Sequence, residues 1–169
     1  MLRVVSNAPD VTQPDIQTDY YIPLKVKIPG SSREVPAYWR TGDLRHSLVE
    51  VGLDQGSGRL TSVTVTLVHA EHTSEASLRP AAQPSAPGCP VLDRAQVHGA
   101  FTDDPGPVRL HLGPDFVWLS FTEGTPHMRE LRLGDLRFLI GADDAWLGLV
   151  VEGLTPAQLT ELRAGIPTP

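Results

Sequence analysis

The chain has 169 residues, 40% of them hydrophobic and 20% charged, so it can bury a core without disulfide or metal staples. Twenty acidic against 14 basic residues give a formal charge of −6. This balance argues against nucleic acid or an anionic membrane as a partner, because phosphate binding depends on Lys and Arg. Sixteen prolines and fifteen glycines favour short strands and many turns over long helices.

The chain opens with residues 1–19, which we interpret as a loosely ordered leader whose first residues could form an edge strand. Residues 20–73 are predicted to form an N-terminal β meander. Leu24 and Val26 alternate there with two lysines, and Pro23 either starts this strand or places it at a sheet edge. Residues 33–40 are predicted to form a short irregular strand.

The clearest strand signal runs from Ser47 to Val68. Apolar residues occupy every second position on both sides of residues 54–58, a Gly-rich break that tolerates positive φ. This pattern predicts two half-buried strands joined as a hairpin.

Residues 74–107 are rich in Pro, Ala and Ser and are predicted to be a loop or linker that separates two lobes. Cys89 lies in this segment between Gly and Pro, and we expect an unreactive loop cysteine. As the single cysteine it excludes an intrachain disulfide, and no segment has the apolar length of a signal peptide or a membrane span. The expected location is the cytoplasm.

Residues 108–169 are predicted to contain about five short strands and a C-terminal helix, and they could share one domain with residues 20–73. Thr155 followed by Pro156 and Gln158 forms a capping box, and Pro169 helps to end the helix. The expected fold is mainly β (α+β), with antiparallel sheets arranged as one sandwich or two small lobes and the helix packed on a sheet.

No coherent catalytic motif occurs in the sequence, and no cofactor is predicted. His69 and His72 are spaced to align on a helix, and with Glu71 they define one alternative, a small metal-dependent enzyme. No HExxH motif accompanies them, so solvated loop histidines are the competing interpretation. His111 is expected on a solvated strand face.

Aromatic and acidic residues suggest a partner-binding surface instead. Tyr38 and Trp39 are adjacent, so one of them should be exposed if the segment is extended, and both residue types are favoured anchors at interfaces. Two acidic pairs in Gly- and Pro-rich loops could steer a basic partner. These pairs are Asp103 with Asp104, and Asp143 with Asp144.

Several segments together resemble small immunity-type proteins that accompany bacterial polymorphic or contact-dependent toxins. The segments are YYIPL at 20–24, LVEVGLD at 48–54, GRLTSVTV at 58–65, LRF at 136–138, WLGL at 146–149 and LTP at 154–156. The resemblance implies a non-catalytic cytosolic protein that neutralises a cognate toxin by binding it, and it carries over no individual binding residue. The acidic balance would suit a basic toxin domain. The remaining alternative is a structural or assembly subunit.

Overall fold

The computed structural model describes residues 1–9, 12–30 and 35–167, and it is mainly β with one α-helix near its C-terminal end. The first part of the predicted strand at 33–40, and Pro169 after the helix, lie outside the described residues. The strands of the described residues are, in order, β1 Val4–Ala8, β2 Asp15–Gln17, β3 Leu24–Lys27, β4 Ala37–Thr41, β5 Ser47–Leu53, β6 Leu60–Val68, β7 Thr73–Glu75, β8 Ser85–Pro87, β9 Cys89–Leu92, β10 Phe101–Asp103, β11 Arg109–Leu112, β12 Val117–Ser120, β13 Arg129–Leu133, β14 Leu136–Ile140 and β15 Trp146–Val151. The helix, α1, spans Pro156–Ala164.

The first sheet has the strand order β10-β4-β5-β6-β3-β2 among the described residues. Its strands pair antiparallel except for β10, which runs parallel to β4. The β5–β6 hairpin at its centre confirms the alternation seen between Ser47 and Val68. Asp54 holds the connecting turn by accepting hydrogen bonds from the amide and hydroxyl of Ser57.

The second sheet has the order β7-β11-β12-β15-β14-β13-β8, and β1 forms a separate two-stranded antiparallel sheet with β9 in the same described part of the chain. The five inner strands of this sheet, β11, β12, β15, β14 and β13, pair antiparallel with one another. The short edge strands β7 and β8 run parallel to their neighbours.

One hydrophobic cluster collects buried side chains from both large sheets. Val49 and Val51 contribute from the first sheet, and Leu119 and Leu149 contribute from the second. The alternating strand pattern supplies these residues because successive side chains point to opposite faces of a sheet.

Helix α1 closes one side of the same cluster. Leu159 and Leu162 are its buried residues, and its first turn has the predicted capping box between Thr155 and Gln158. This helix begins where the sequence predicted because the capping hydrogen bonds are local.

Three sequence interpretations differ from this architecture. The leader includes β1 and β2, and β2 pairs with β3, so β3 is an interior strand; it starts directly after Pro23, which confirms the first of the two positions predicted for this proline and not the sheet edge. The segment at 74–107 carries β8, β9 and β10, which join three different sheets. Cys89 lies in β9 and is buried, not in a loop. No helix within the described ranges is long and apolar enough to cross a membrane.

Candidate functional site

The pairing of β10 with β4 brings together residues that are far apart in sequence. The parallel register places Phe101 beside Tyr38, Thr102 beside Trp39 and Asp103 beside Arg40. The backbone amide of Tyr38 donates to the carbonyl of Ala100, and the amide of Asp104 donates to the carbonyl of Arg40. Four of the six predicted site residues, Tyr38, Trp39, Asp103 and Asp104, therefore lie at one edge of the first sheet.

Four side chains on the outer side of this edge form a surface that we call the aromatic patch, made of Tyr38, Arg40, Phe101 and Asp103. The rings of Tyr38 and Phe101 stack with centroids 5.5 Å apart and an interplanar angle of 16°. The Arg40 guanidinium lies 5.1 Å from the centre of the Phe101 ring. Phe101 nevertheless remains 55% exposed.

Arg40 and Asp103 form a two-point ion pair that fixes the patch. The Nε and Nη2 atoms of Arg40 donate to the two carboxylate oxygens of Asp103 at 2.6 and 3.0 Å. Hydrogen bonding to Asp103 raises the pKa of Arg40 above its ordinary value. Such planar paired geometry restrains both side chains more than a single contact would.

Trp39 points the opposite way and is only 3% exposed, so it is not an exposed contact residue. Its indole N–H donates to Asp104 Oδ2 at 3.0 Å, and its ring meets Phe121 edge to face at 5.7 Å. Burial would raise the pKa of Asp104, but hydrogen bonds from the amino group of Met1 and from Trp39 lower it. Trp39 thus positions the Asp104 carboxylate from beneath.

The second acidic pair lies in the turn Ala142–Asp144, where both aspartates have positive φ. Asp144 accepts a hydrogen bond from Arg129 at 2.6 Å, whereas Asp143 is exposed and makes no ion pair within the described residues. The first three residues connect the two acidic pairs. Arg3 forms an antiparallel β-bridge with Ala145, the residue after Asp144, and the Met1 amino group donates to Asp104.

The histidines considered as metal ligands lie at the end of β6. Glu71 and His72 belong to a short 3-10 turn, and His69 precedes it, so these side chains do not line up along an α-helix. A carboxylate oxygen of Asp43 lies 3.4 Å from His46 and 3.5 Å from His72. No group of three or more such side chains in the described ranges is arranged to hold a metal ion.

Sequence reasoning missed Phe101 and Arg40. Phe101 belongs to a three-residue strand in a segment interpreted as a linker, and no periodic pattern identifies so short a strand. Arg40 follows two aromatic residues, and this proximity was its only local signal.

No protein-family model matches this chain, and a comparison with curated proteins finds no significant match. The functional assignment therefore rests on the surfaces described above and on the segments quoted in the sequence analysis.

Proposed function

We propose that the chain is a non-catalytic cytosolic binding protein, an immunity protein that neutralises a bacterial toxin by covering it. The observation that carries this proposal is the aromatic patch at the β4–β10 edge, flanked by carboxylates. Tyr, Trp and Arg are the residue types most enriched among energetically dominant interface contacts. Tyr38 and Arg40 supply two of these types, and Phe101 supplies exposed apolar area.

The patch is pre-organised, which favours binding. Stacking between the two rings contributes about 0.5–1.5 kcal/mol beyond simple burial, and the Arg40–Asp103 pair restrains the neighbouring side chains. The Phe101 side chain is already held in place before a partner docks on it. Binding there therefore costs less side-chain entropy than binding that has to order a mobile residue.

Charge supports a basic partner. The formal charge is −6, and Asp143 presents a carboxylate that no described cation neutralises. Asp103 and Asp144 are already paired with arginines, so their contribution to affinity is small and their main effect is on steering. A basic toxin domain, such as a nuclease, has the complementary charge.

The experiment is co-expression with candidate toxin domains, including any that is encoded beside the gene, scored by growth rescue and by a co-purifying complex. The expected result is rescue with a stable one-to-one complex. Absence of both rescue and complex would contradict the proposal.

Two matched variants locate the interface. The double variant Tyr38→Ala/Phe101→Ala should weaken affinity at least thirtyfold, since dominant interface residues contribute about 2 kcal/mol or more. Tyr21→Ala is the control, because Tyr21 is the more exposed aromatic residue at 83% and lies outside the patch. A double variant within about threefold of the parent, under about 0.7 kcal/mol, would exclude the patch.

The steering charges have their own readout. Asp143→Asn/Asp144→Asn should slow association and reduce its dependence on salt, with little effect on dissociation. Asp135→Asn is the control, since its carboxylate is also exposed in a turn but belongs to the β13–β14 connection. Equal salt dependence in all three proteins would remove the acidic pair from the interface.

The two alternatives give different measurements. A metal-dependent enzyme that uses His69 and His72 requires stoichiometric metal in untagged protein. A structural or assembly subunit requires a defined homo-oligomer in light scattering without any toxin partner.

A further inference from the structure

The first sheet ends at β10, and no strand of the described residues pairs with the outer edge of β10. Successive residues of a strand direct their backbone groups to opposite sides of it. The carbonyl of Ala100 accepts a hydrogen bond from β4, and the amide of Asp104 donates one to β4. Phe101 and Asp103 therefore direct their amides and carbonyls away from the sheet. These outward groups form no hydrogen bond to another described residue.

Two rows of side chains cross the outer face of the first sheet and end at β10. Strand register aligns Gly52, Tyr38 and Phe101 in one row, and Glu50, Arg40 and Asp103 in the other. In the first row, Phe101 stacks on Tyr38 and still remains 55% exposed. In the second row, the charges alternate from negative to positive to negative. A further strand beside β10 would extend both rows.

The two rows specify the chemistry of such a strand. Side chains directly opposite each other on neighbouring strands have Cβ atoms about 5 Å apart. An aromatic or aliphatic residue beside Phe101 would cover its exposed ring, and Lys or Arg beside Asp103 would continue the alternation of charge. Because side chains alternate between faces, these two residues must be two positions apart in the partner's sequence.

The edges of the two large sheets differ in what they offer a partner. In β2, the exposed residues Asp15 and Gln17 are polar and hydrogen-bond each other. In β7, Glu75 is held by Arg163 at 2.7 Å. In β8, the outward-facing residue Pro87 has no N–H to donate. Among the described edge strands, β10 alone combines outward N–H groups with an exposed aromatic side chain.

We propose that β10 binds an extended strand of the partner, which continues the first sheet and places an apolar residue beside Phe101 and a Lys or Arg beside Asp103. This inference rests on the proposed binding function and adds the mode of binding. In strand addition, main-chain hydrogen bonds provide affinity and alternate side chains provide specificity. The charge of −6 favours a basic strand over a second copy of this chain, because two acidic copies repel each other.

The test follows the backbone amides of the intact protein by NMR, with a short synthetic peptide as the probe. In this peptide, Tyr and Lys alternate at every second position with Thr between them. It should slow hydrogen exchange at the amides of Phe101 and Asp103 saturably, with a dissociation constant below about 1 mM. The amides of Tyr38 and Asp104 are internal controls, because they already donate to carbonyls within the sheet. A peptide with Glu in place of Lys should bind at least about tenfold more weakly.

Two substitutions of one residue isolate the main-chain contact. Asp103→Ala and Asp103→Pro both remove the carboxylate, but only proline also removes the outward N–H. Proline is tolerated at an edge position whose N–H faces solvent. The peptide should bind Asp103→Pro at least about tenfold more weakly than Asp103→Ala. Retained protection of the Tyr38 amide, which donates to Ala100, would show that β10 still pairs with β4 in both variants.

Four results would overturn strand addition. They are no protection of Phe101 by the Lys peptide, equal binding of the Glu peptide, equal affinity of Asp103→Pro and Asp103→Ala, and a dimer of the protein alone that Asp103→Pro abolishes. The last of these would assign the edge to a second copy.

Growth rescue by the same variants separates this inference from the proposed function. Equal rescue by Asp103→Ala and Asp103→Pro would overturn strand addition alone. Absence of rescue by the parent, with peptide binding retained, would contradict the immunity function alone.

Discussion

The pair formed by Glu130 in β13 and Arg137 in β14 offers a quantitative test of how much a buried ion pair stabilises the second sheet. The Glu130 side chain is fully buried and that of Arg137 is 3% exposed. Arg137 donates to the two carboxylate oxygens of Glu130 at 3.0 and 2.5 Å, and it also donates to the carbonyl of Pro80. Removing Glu130 leaves the buried Arg137 guanidinium with the Glu152 carboxylate, 3.4 Å away, as its remaining anionic partner.

Glu130→Leu should therefore lower the free energy of unfolding by about 3–5 kcal/mol, the range for breaking a buried ion pair from one side. With an m-value of about 2 kcal/mol/M, the urea midpoint should fall by about 2 M. The double variant Glu130→Leu/Arg137→Met should cost less than Glu130→Leu alone, because no buried charge remains. Tryptophan fluorescence in urea measures the parent, Glu130→Leu, Arg137→Met and the double variant.

The pH dependence gives the same pair a second signature. Burial would raise the pKa of Glu130, but the hydrogen bonds and charge of Arg137, with further hydrogen bonds from Gln83 and His127, lower it overall. The stabilisation by Glu130 is therefore present above its ordinary pKa of about 4.3 and is lost as the pH falls through the lower folded value. The reasoning is refuted if Glu130→Leu costs under about 1 kcal/mol, or if the double variant costs the sum of both single variants.

Three further predictions concern stability. Burial lowers the pKa of His111, so its neutral ring contributes fully to the stability of the fold above about pH 6.5, and this contribution is lost as the pH falls towards the pKa in the folded protein. In His111→Gln, the free energy of unfolding measured in urea should therefore change less between pH 7 and pH 5 than in the parent. Gly58→Ala should destabilise more than Gly124→Ala by about 1–3 kcal/mol in urea. The two glycines have similar φ values, but a Cβ at Gly58 would lie 2.4 Å from the carbonyl oxygen of Leu92, whereas a Cβ at Gly124 would meet no atom within 4 Å. Equal losses of stability in the two variants would contradict this. Thr155→Ala should lower stability by about 1 kcal/mol through loss of the helix cap, and Thr155→Ser, which keeps the hydroxyl, should retain most of it.

Patterns within a few residues predicted much of the β framework. The alternation from Ser47 to Val68 gave the central hairpin. The capping box at Thr155 gave the start of α1. Each of these signals lies in the segment that it describes, because hairpin turns and helix caps are stabilised by near neighbours in sequence.

The candidate site needed the tertiary structure. Tyr38 and Asp103 were both proposed from the sequence, but nothing local indicated that a three-residue strand would join them beside Phe101. The same holds for His111, which is half-buried and stacks on Trp118 with ring centroids 4.3 Å apart, whereas the sequence predicted a solvated side chain.

The sequence by itself determined a mainly β chain, its central hairpin, its capped C-terminal helix and its acidic charge. Only the tertiary structure decided that Trp39 is buried while Phe101 is exposed, and that the segment at 74–107 supplies strands to three different sheets. The physical reason is that short edge strands are stabilised by hydrogen bonds to distant strands, so their positions depend on how the sheets are assembled and leave no periodic pattern in the chain.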